Sequence, residues 1–410
     1  MHLERENFLK LTALSAIYLV WGAIASLNDL LIPYIKSEFG LNFTQAMRIQ
    51  LVFYAAYFFL SLPCGLITRR YGYRNGILTG LSWAIGGCLL MLIASRVGSF
   101  HFILGALFVL ASGITMLQVS ANPYVTSLGP DKTASSRLTL VQSFHSLGTT
   151  IGPYFGAILI FSTVFSVEIL AGDPDIPARA IIKPYAILAI VLVVMAWLFM
   201  RLEPGRTMAQ KPGDKVNIFV LIGSNPRLLL GMLGIFFYVG AEISIGSFLV
   251  NYLSEPNIAG LDHKAAGKFV AVYWGFALLG RFAGALVLRL VSPSRLLTWY
   301  AVIAATLVTI SINSEGVLAM WSVLLVGFFN SIMFPTIFAL TIKDFEHEKQ
   351  SASGALCLGI VGGAVISQLQ GMLADQVGVQ MAFILPVLCY TYIATYAFFV
   401  LRPNRSRSFN

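Results

Sequence analysis

Charge is scarce in this chain. Only 11% of its 410 residues are Asp, Glu, Lys or Arg, against roughly 25% in an ordinary soluble domain. No stretch is polar enough to form a soluble surface, which excludes a soluble enzyme, a nucleic-acid module and a disordered scaffold. Acids are rarer than bases, 18 against 27, leaving a net charge of +9. In a chain this apolar, that excess is read as basic cytoplasmic loops rather than a nucleic-acid surface. Cysteine is also sparse. Cys64, Cys88, Cys357 and Cys389 each sit in an apolar stretch, without the spacing of a disulfide framework or a metal site, and are read as lipid-facing or packed thiols. The sequence has no Gly-x-Ser-x-Gly elbow, no P-loop and no transition-metal cluster. Enzyme chemistry and an ATP-driven pump are therefore not expected.

What the chain does have is hydrophobic length, 57% of its residues. A bilayer core takes about 20 apolar residues per helix. Cutting at Gly, Pro and charge clusters gives spans at 10–35, 46–68, 75–96, 100–127, 136–163, 182–201, 227–252, 264–289, 295–312, 316–342, 350–374 and 380–401. The first continues too far for a signal peptide and lacks a clear cleavage site, so it is expected to remain attached. The polar stretch with Arg206, Lys211, Pro212, Asp214 and Lys215 divides the chain into a six-helix half at 1–203, a cytoplasmic linker at 204–225 and a second half at 226–410. With both termini cytoplasmic, only Lys36, Arg48, Arg96, Arg179, Lys183, Lys264 and Lys268 lie towards the outside. The other Lys and Arg residues, Arg281 among them, lie on or towards the cytoplasmic side, as the positive-inside rule requires.

The halves carry traces of duplication. Gly22-Ala-Ile-Ala-Ser26 resembles Gly240-Ala-Glu-Ile-Ser244, 218 residues on, and Tyr54 and Gly65 match Tyr273 and Gly284, each 219 residues on. A loop motif, Gly65-Leu-Ile-Thr-Arg69-Arg70-Tyr-Gly72-Tyr-Arg74, is echoed by Gly371-Met-Leu-Ala-Asp375-Gln-Val-Gly378. Gly72, Gly80 and Gly284 are expected to ease helix contacts.

Ionisable groups at membrane depth cost about 2.5–3.5 kcal/mol each by insertion scales and mark functional positions. Asp29 and Glu242 are the two acids well inside predicted spans, one per half. Asp29 is the leading coupling candidate, or else a helix-end residue near the outer interface. Glu242 is the second, or else half of an ion pair with a neighbouring helix. Gln118 and Asn122 share one helical face, Gln142 and His145 another, and Ser26 and Asp29 a third. Asn330, shortly before Pro335, is a comparable polar point. Together they read as a hydrated lining, although helix–helix hydrogen bonding is the commoner use of such residues. Trp21, Tyr238, Tyr273, Trp274 and Phe334 lie on the same helices and offer flat apolar faces to the C–H side of a sugar ring.

Two six-helix halves joined by a basic loop, together with the motif at Gly65–Arg74, resemble the major facilitator superfamily. The motif departs from the usual pattern at Arg69, where an acid is usual. The stretch Leu-Gln118-Val-Ser-Ala-Asn122-Pro-Tyr, followed by Ser136-Arg137-Leu-Thr-Leu-Val-Gln142-Ser-Phe-His145, resembles the fucose permease branch, proton-coupled bacterial sugar importers. Trp21-Gly22 through Asn28-Asp29, Phe334-Pro335-Thr-Ile-Phe and the Gly-rich eleventh span agree with it. Tyr238-Val-Gly-Ala-Glu242-Ile-Ser-Ile-Gly is closer to the branch's glucose/galactose transporters.

The resemblance implies an all-α membrane protein of twelve helices in two pseudo-symmetric bundles, with substrate near the midplane between the halves. It implies a monomer in a bacterial inner membrane, importing a neutral monosaccharide of the glucose, galactose, mannose or fucose class by cation symport. Asp29 matches the family's first-span acid and Gln142 its site glutamine. Gln118 stands where fucose permease has a membrane-embedded Glu, and His145 where it has Asn. Glutamine carries no proton, so His145 or Glu242 would have to titrate in its place. Alternatively Asp29, Gln118, Asn122 and Ser26 would cage a hard cation such as Na⁺, the only bound ion anticipated. Gln118, Asn122, Gln142, His145 and Asn330 are the expected hydroxyl partners, with Trp21, Tyr273 and Trp274 as ring surfaces. An efflux or drug-type facilitator and an uncoupled sugar uniporter are the alternatives.

Overall fold

A computed structural model describes residues 2–40, 45, 48–168, 182–202 and 217–399, without the side chains of residues 2–5, 28–34, 36–38, 153–168, 202 and 264. Every regular element among them is helical. That is the expected answer to a chain whose apolar runs find no water to hydrogen-bond the backbone, because a helix satisfies its own N–H and C=O groups within the segment.

The first six predicted spans fall on five helices. These are α1 (His2–Glu38), α2 (Arg48–Val97), α3 (Phe100–Ser127), α4 (Ala134–Glu168) and α5 (Ile182–Leu202). The 50-residue α2 holds both the second and third spans, and its break is Gly72 at φ 80°, ψ 166°. Of the linker expected at 204–225, 204–216 lie outside the described residues, and α6 (Ile218–Ser224), capped by the Asn217 side chain, occupies most of the remainder. Then follow α7 (Pro226–Ser254), α8 (His263–Val287) and α9 (Pro293–Asn313). The tenth span is not one helix but two, α10 (Gly316–Asn330) and α11 (Met333–Ile342). The eleventh is also divided, into α12 (Lys349–Leu358), a 3₁₀ turn at Gly359–Val361 and α13 (Gly362–Val377). The chain then turns through α14 (Val379–Ala382) into α15 (Ile384–Phe399).

The loop echo read from the sequence is also a conformational echo. Gly378 has φ 87° and ψ 159°, nearly the backbone of Gly72. This positive-φ region is open essentially to glycine alone. Gly72 therefore serves through its dihedral angles, whereas Gly80 and Gly284 are contact glycines as expected. A Cβ on Gly80 would lie 2.8 Å from the Leu117 backbone nitrogen, and one on Gly284 would overlap the Ile332 side chain.

Two compact units emerge, Met1–Leu128 with Val141–Lys215, and Gly129–Leu140 with Val216–Asn410. In the first, α1 and α4 cross with their backbones touching: a Cβ on Gly22 would fall on the His145 carbonyl oxygen, and one on Gly148 on that of Leu19. In the second, α7 meets the Gly-rich turn before α13 in the same way, Gly362 lying against the Phe236 carbonyl. Large apolar side chains such as Phe59, Ile190, Trp299 and Phe399 are exposed, while Gln118, Asn122, Gln142, Asn330, Glu242 and Arg281 are buried. This inverts the pattern of a soluble protein. All four cysteines are buried and free, so they are packed rather than lipid-facing.

Candidate functional site

Each unit holds a buried polar cluster that contains predicted site residues. In the first unit, the glycine crossing at Gly22 and Gly148 draws α1 and α4 together, so residues beside it meet. The Trp21 and His145 rings stand edge to face with centroids 4.7 Å apart, and Tyr18 lies 5.0 Å from Trp21. Tyr18 donates to Asn122 Oδ1, and Tyr57 on α2 donates to Gln118 Oε1 at 2.8 Å. The two amides predicted from their shared face on α3 are thus each engaged by a tyrosine. Ser26 Oγ donates to the Ala23 carbonyl of its own helix at 3.0 Å. Gln142, 6% exposed, differs from the others. Its amide has no hydrogen-bond partner among the described residues, although buried polar groups in proteins are nearly always paired. The Asp29 side chain lies outside the described residues, and with it the fourth member of the expected oxygen cage.

The second unit is built around a break. Pro335 has no N–H to give to the carbonyl four residues earlier, so the Ser331 oxygen is released where α10 ends and α11 begins. Arg281 of α8 supplies the missing donor, its Nε lying 3.3 Å from that oxygen. The same guanidinium reaches Glu242 of α7, Nη2 to Oε1 3.3 Å. Both residues keep a small exposed surface, 8% and 7%. Arg281 is a buried helix residue, and Glu242 forms with it the ion pair that was the alternative to its coupling role.

One turn beyond Glu242, Gly246 leaves room for Trp274, 3.2 Å from where a Cβ would stand. Trp274 lies edge-on to Tyr273 at 5.3 Å. Asn330 closes the cluster. Its Nδ2 donates to the Tyr273 hydroxyl at 2.8 Å and to that of Tyr390 at 3.4 Å, while its buried Oδ1 has no partner among the described residues. Tyr273 and Asn330 are fully buried, and Trp274 is half-buried. Sequence reasoning missed Tyr18, Tyr57, Arg281 and Tyr390. Only Arg281 left a signal, a cation well inside a predicted span.

Comparison with known proteins places these clusters in a family. The Major Facilitator Superfamily model matches residues 14–368. The chain belongs to the Major Facilitator Superfamily. It is a multi-pass membrane transporter by family and not an enzyme. The glucose/galactose transporter of Brucella abortus (strain 9-941) is 47% identical over 386 residues, covering 94% of this chain and 92% of that one. The L-fucose-proton symporter of Escherichia coli (strain K12) is 29% identical over 412 residues, covering 97% of this chain and 94% of the relative. Among solved structures, this superfamily member is similar to the transporter FucP in the outward conformation. The TM-score is 0.86 at 28% identity, over 96% of this chain and 99% of that one. The branch resemblance carried by Gln118–His145 accords with these relatives.

Proposed function

We propose that this chain imports a neutral monosaccharide across a bacterial inner membrane, coupled to a cation, with both termini in the cytoplasm. The observation that carries the reading is Gln142, a buried amide without a hydrogen-bond partner among the described residues, one helical turn before His145, whose ring meets Trp21. An amide with free donors and acceptor next to an aromatic surface is what a sugar ring needs, hydroxyls on one side and C–H on the other. The 47% identity to a glucose/galactose transporter supports the substrate class. His145 and Trp21 complete the proposed set in the first unit, and Glu242, Trp274 and Asn330, whose Oδ1 has no partner among the described residues, form the proposed set of the second. Asp29 is the proposed carrier of the coupling charge. A proton is proposed ahead of Na⁺ because one relative is named a proton symporter.

The test is uptake of labelled glucose, galactose, mannose and fucose into liposomes containing the purified protein, with a proton gradient and, separately, a sodium gradient. Accumulation driven by protons alone supports the reading. Accumulation driven by sodium alone would replace the coupling ion. Equilibration without accumulation would mean a uniporter, and failure to move any of the four sugars would remove the substrate class.

A further inference from the structure

The second unit contains a cavity of about 350 Å³ at the helix ends where spans four, eight and ten finish, lined in part by Lys132, Ser135, Arg289, Ser294 and Lys343. This volume lies within the roughly 300–1,000 Å³ of small-ligand pockets. In the proposed orientation it opens to the cytoplasm.

Its walls are held in place. Arg137 gathers the connection before α4, donating to the Pro130 and Gly129 carbonyls at 3.0 Å each. Ser136 Oγ then fastens the first turn of α4 to the Ala285 carbonyl of α8 at 2.6 Å.

The lining is chemically one-sided. Lys132, Arg289 and Lys343 form no ion pair among the described residues. The single acid at the cavity, Asp131, lies in the field of Arg137. Ser135 and Ser294 are only 3% and 5% exposed, yet their hydroxyls have no hydrogen-bond partner among the described residues. Neither hydroxyl is among the fully sealed unpartnered atoms, so each opens onto the space it lines. Ser292, at the N-terminus of α9, makes no side-chain cap bond; Pro293 has no N–H, so the Ser294 and Arg295 amides are the ones left uncapped at this end of the helix. General enrichment of Lys and Arg on the inner face explains cations in loops. It does not explain two nearly buried hydroxyls, without partners among the described residues, at a partly open recess.

We propose that this cavity binds a phosphate group, either of a soluble phosphate ester or of an anionic lipid headgroup. Three cations, two hydroxyl donors and a free helix N-terminus match a tetrahedral oxyanion. The site is separate from the two polar clusters and does not depend on their assignment.

The experiment uses the purified full-length protein. Inorganic phosphate and glucose 6-phosphate are titrated by calorimetry, and phosphatidylglycerol vesicles are compared with phosphatidylcholine vesicles by co-flotation. Saturable binding of either soluble phosphate supports a soluble ligand, and selective co-flotation with phosphatidylglycerol vesicles over phosphatidylcholine vesicles supports a lipid one. Neutralising Lys132, Arg289 and Lys343 to Gln should weaken whichever is observed roughly tenfold or more. Ser135→Ala, a small change expected to preserve folding, should weaken it severalfold. Neutralising Arg74, Arg201 and Lys349, which lie outside the cavity, should leave it unchanged. Absence of phosphate binding in every form, or equal loss in the two triple variants, would overturn the proposal.

Discussion

At the level of single residues, the two clusters differ in what holds their members. Gln118, Asn122 and Asn330 are tied to tyrosines, while Gln142 is buried without a hydrogen-bond partner among the described residues. Gln142→Ala should therefore lower apparent sugar affinity by roughly tenfold, about the worth of one or two hydrogen bonds, with folded protein still present by size-exclusion chromatography. Unchanged affinity would return the glutamine to a packing role. Asp29→Asn should abolish accumulation against a gradient while sparing counterflow exchange, measured in the same liposomes. The Glu242 and Arg281 pair allows a sharper separation. Removing one partner of a buried pair leaves an uncompensated charge and costs about 3–5 kcal/mol, whereas removing both is often nearly neutral. Arg281→Gln is expected to melt well below the parent, and Arg281→Gln with Glu242→Gln to recover most of that loss. The candidate site was legible residue by residue where polarity at membrane depth was the signal, as for Gln142, Asn330 and Glu242. The tyrosine hydroxyls that pair with the amides were not legible, because a tyrosine in a membrane helix reads as packing or interface until its partner is located.

At the level of elements, most spans were readable from apolar length, and their interruptions were not. The break between α10 and α11 depends on Pro335 releasing a carbonyl, and on Arg281 being near enough to accept the vacancy. Pro335→Ala restores an N–H able to bond Ser331. It should loosen Arg281 from that oxygen and lower the transport rate more than the sugar affinity, which initial-rate kinetics would show. The repeated turn at Gly72 and Gly378 makes a second prediction. Either glycine changed to alanine forces a side chain into φ 80° or φ 87°, a strain of about 1–3 kcal/mol. Melting temperatures of both variants should fall, while an alanine at Gly86, where the added Cβ meets nothing within 4 Å, should leave melting unchanged. Equal melting of all three would remove the turn assignment.

At the level of the whole molecule, the proposed orientation has a direct readout. Green fluorescent protein fused after Asn410 should fluoresce and alkaline phosphatase fused there should be inactive in a bacterial host, and the reverse pair of results would invert the topology. Hydrophobic length, the scarcity of acids and the asymmetry of Lys and Arg determined an α-helical membrane chain from the sequence alone, because a bilayer leaves an apolar segment little choice but a helix. The glycine patterns and the Gln118–His145 stretch likewise carried the family. Tertiary structure alone decided that Arg281 pairs with Glu242, that Trp21 meets His145, and that Lys132, Arg289 and Lys343 share one recess. Those relations join residues from separate helices, and the rotation and depth of one helix against another are set by backbone contacts such as Gly22 on His145, which no single span records.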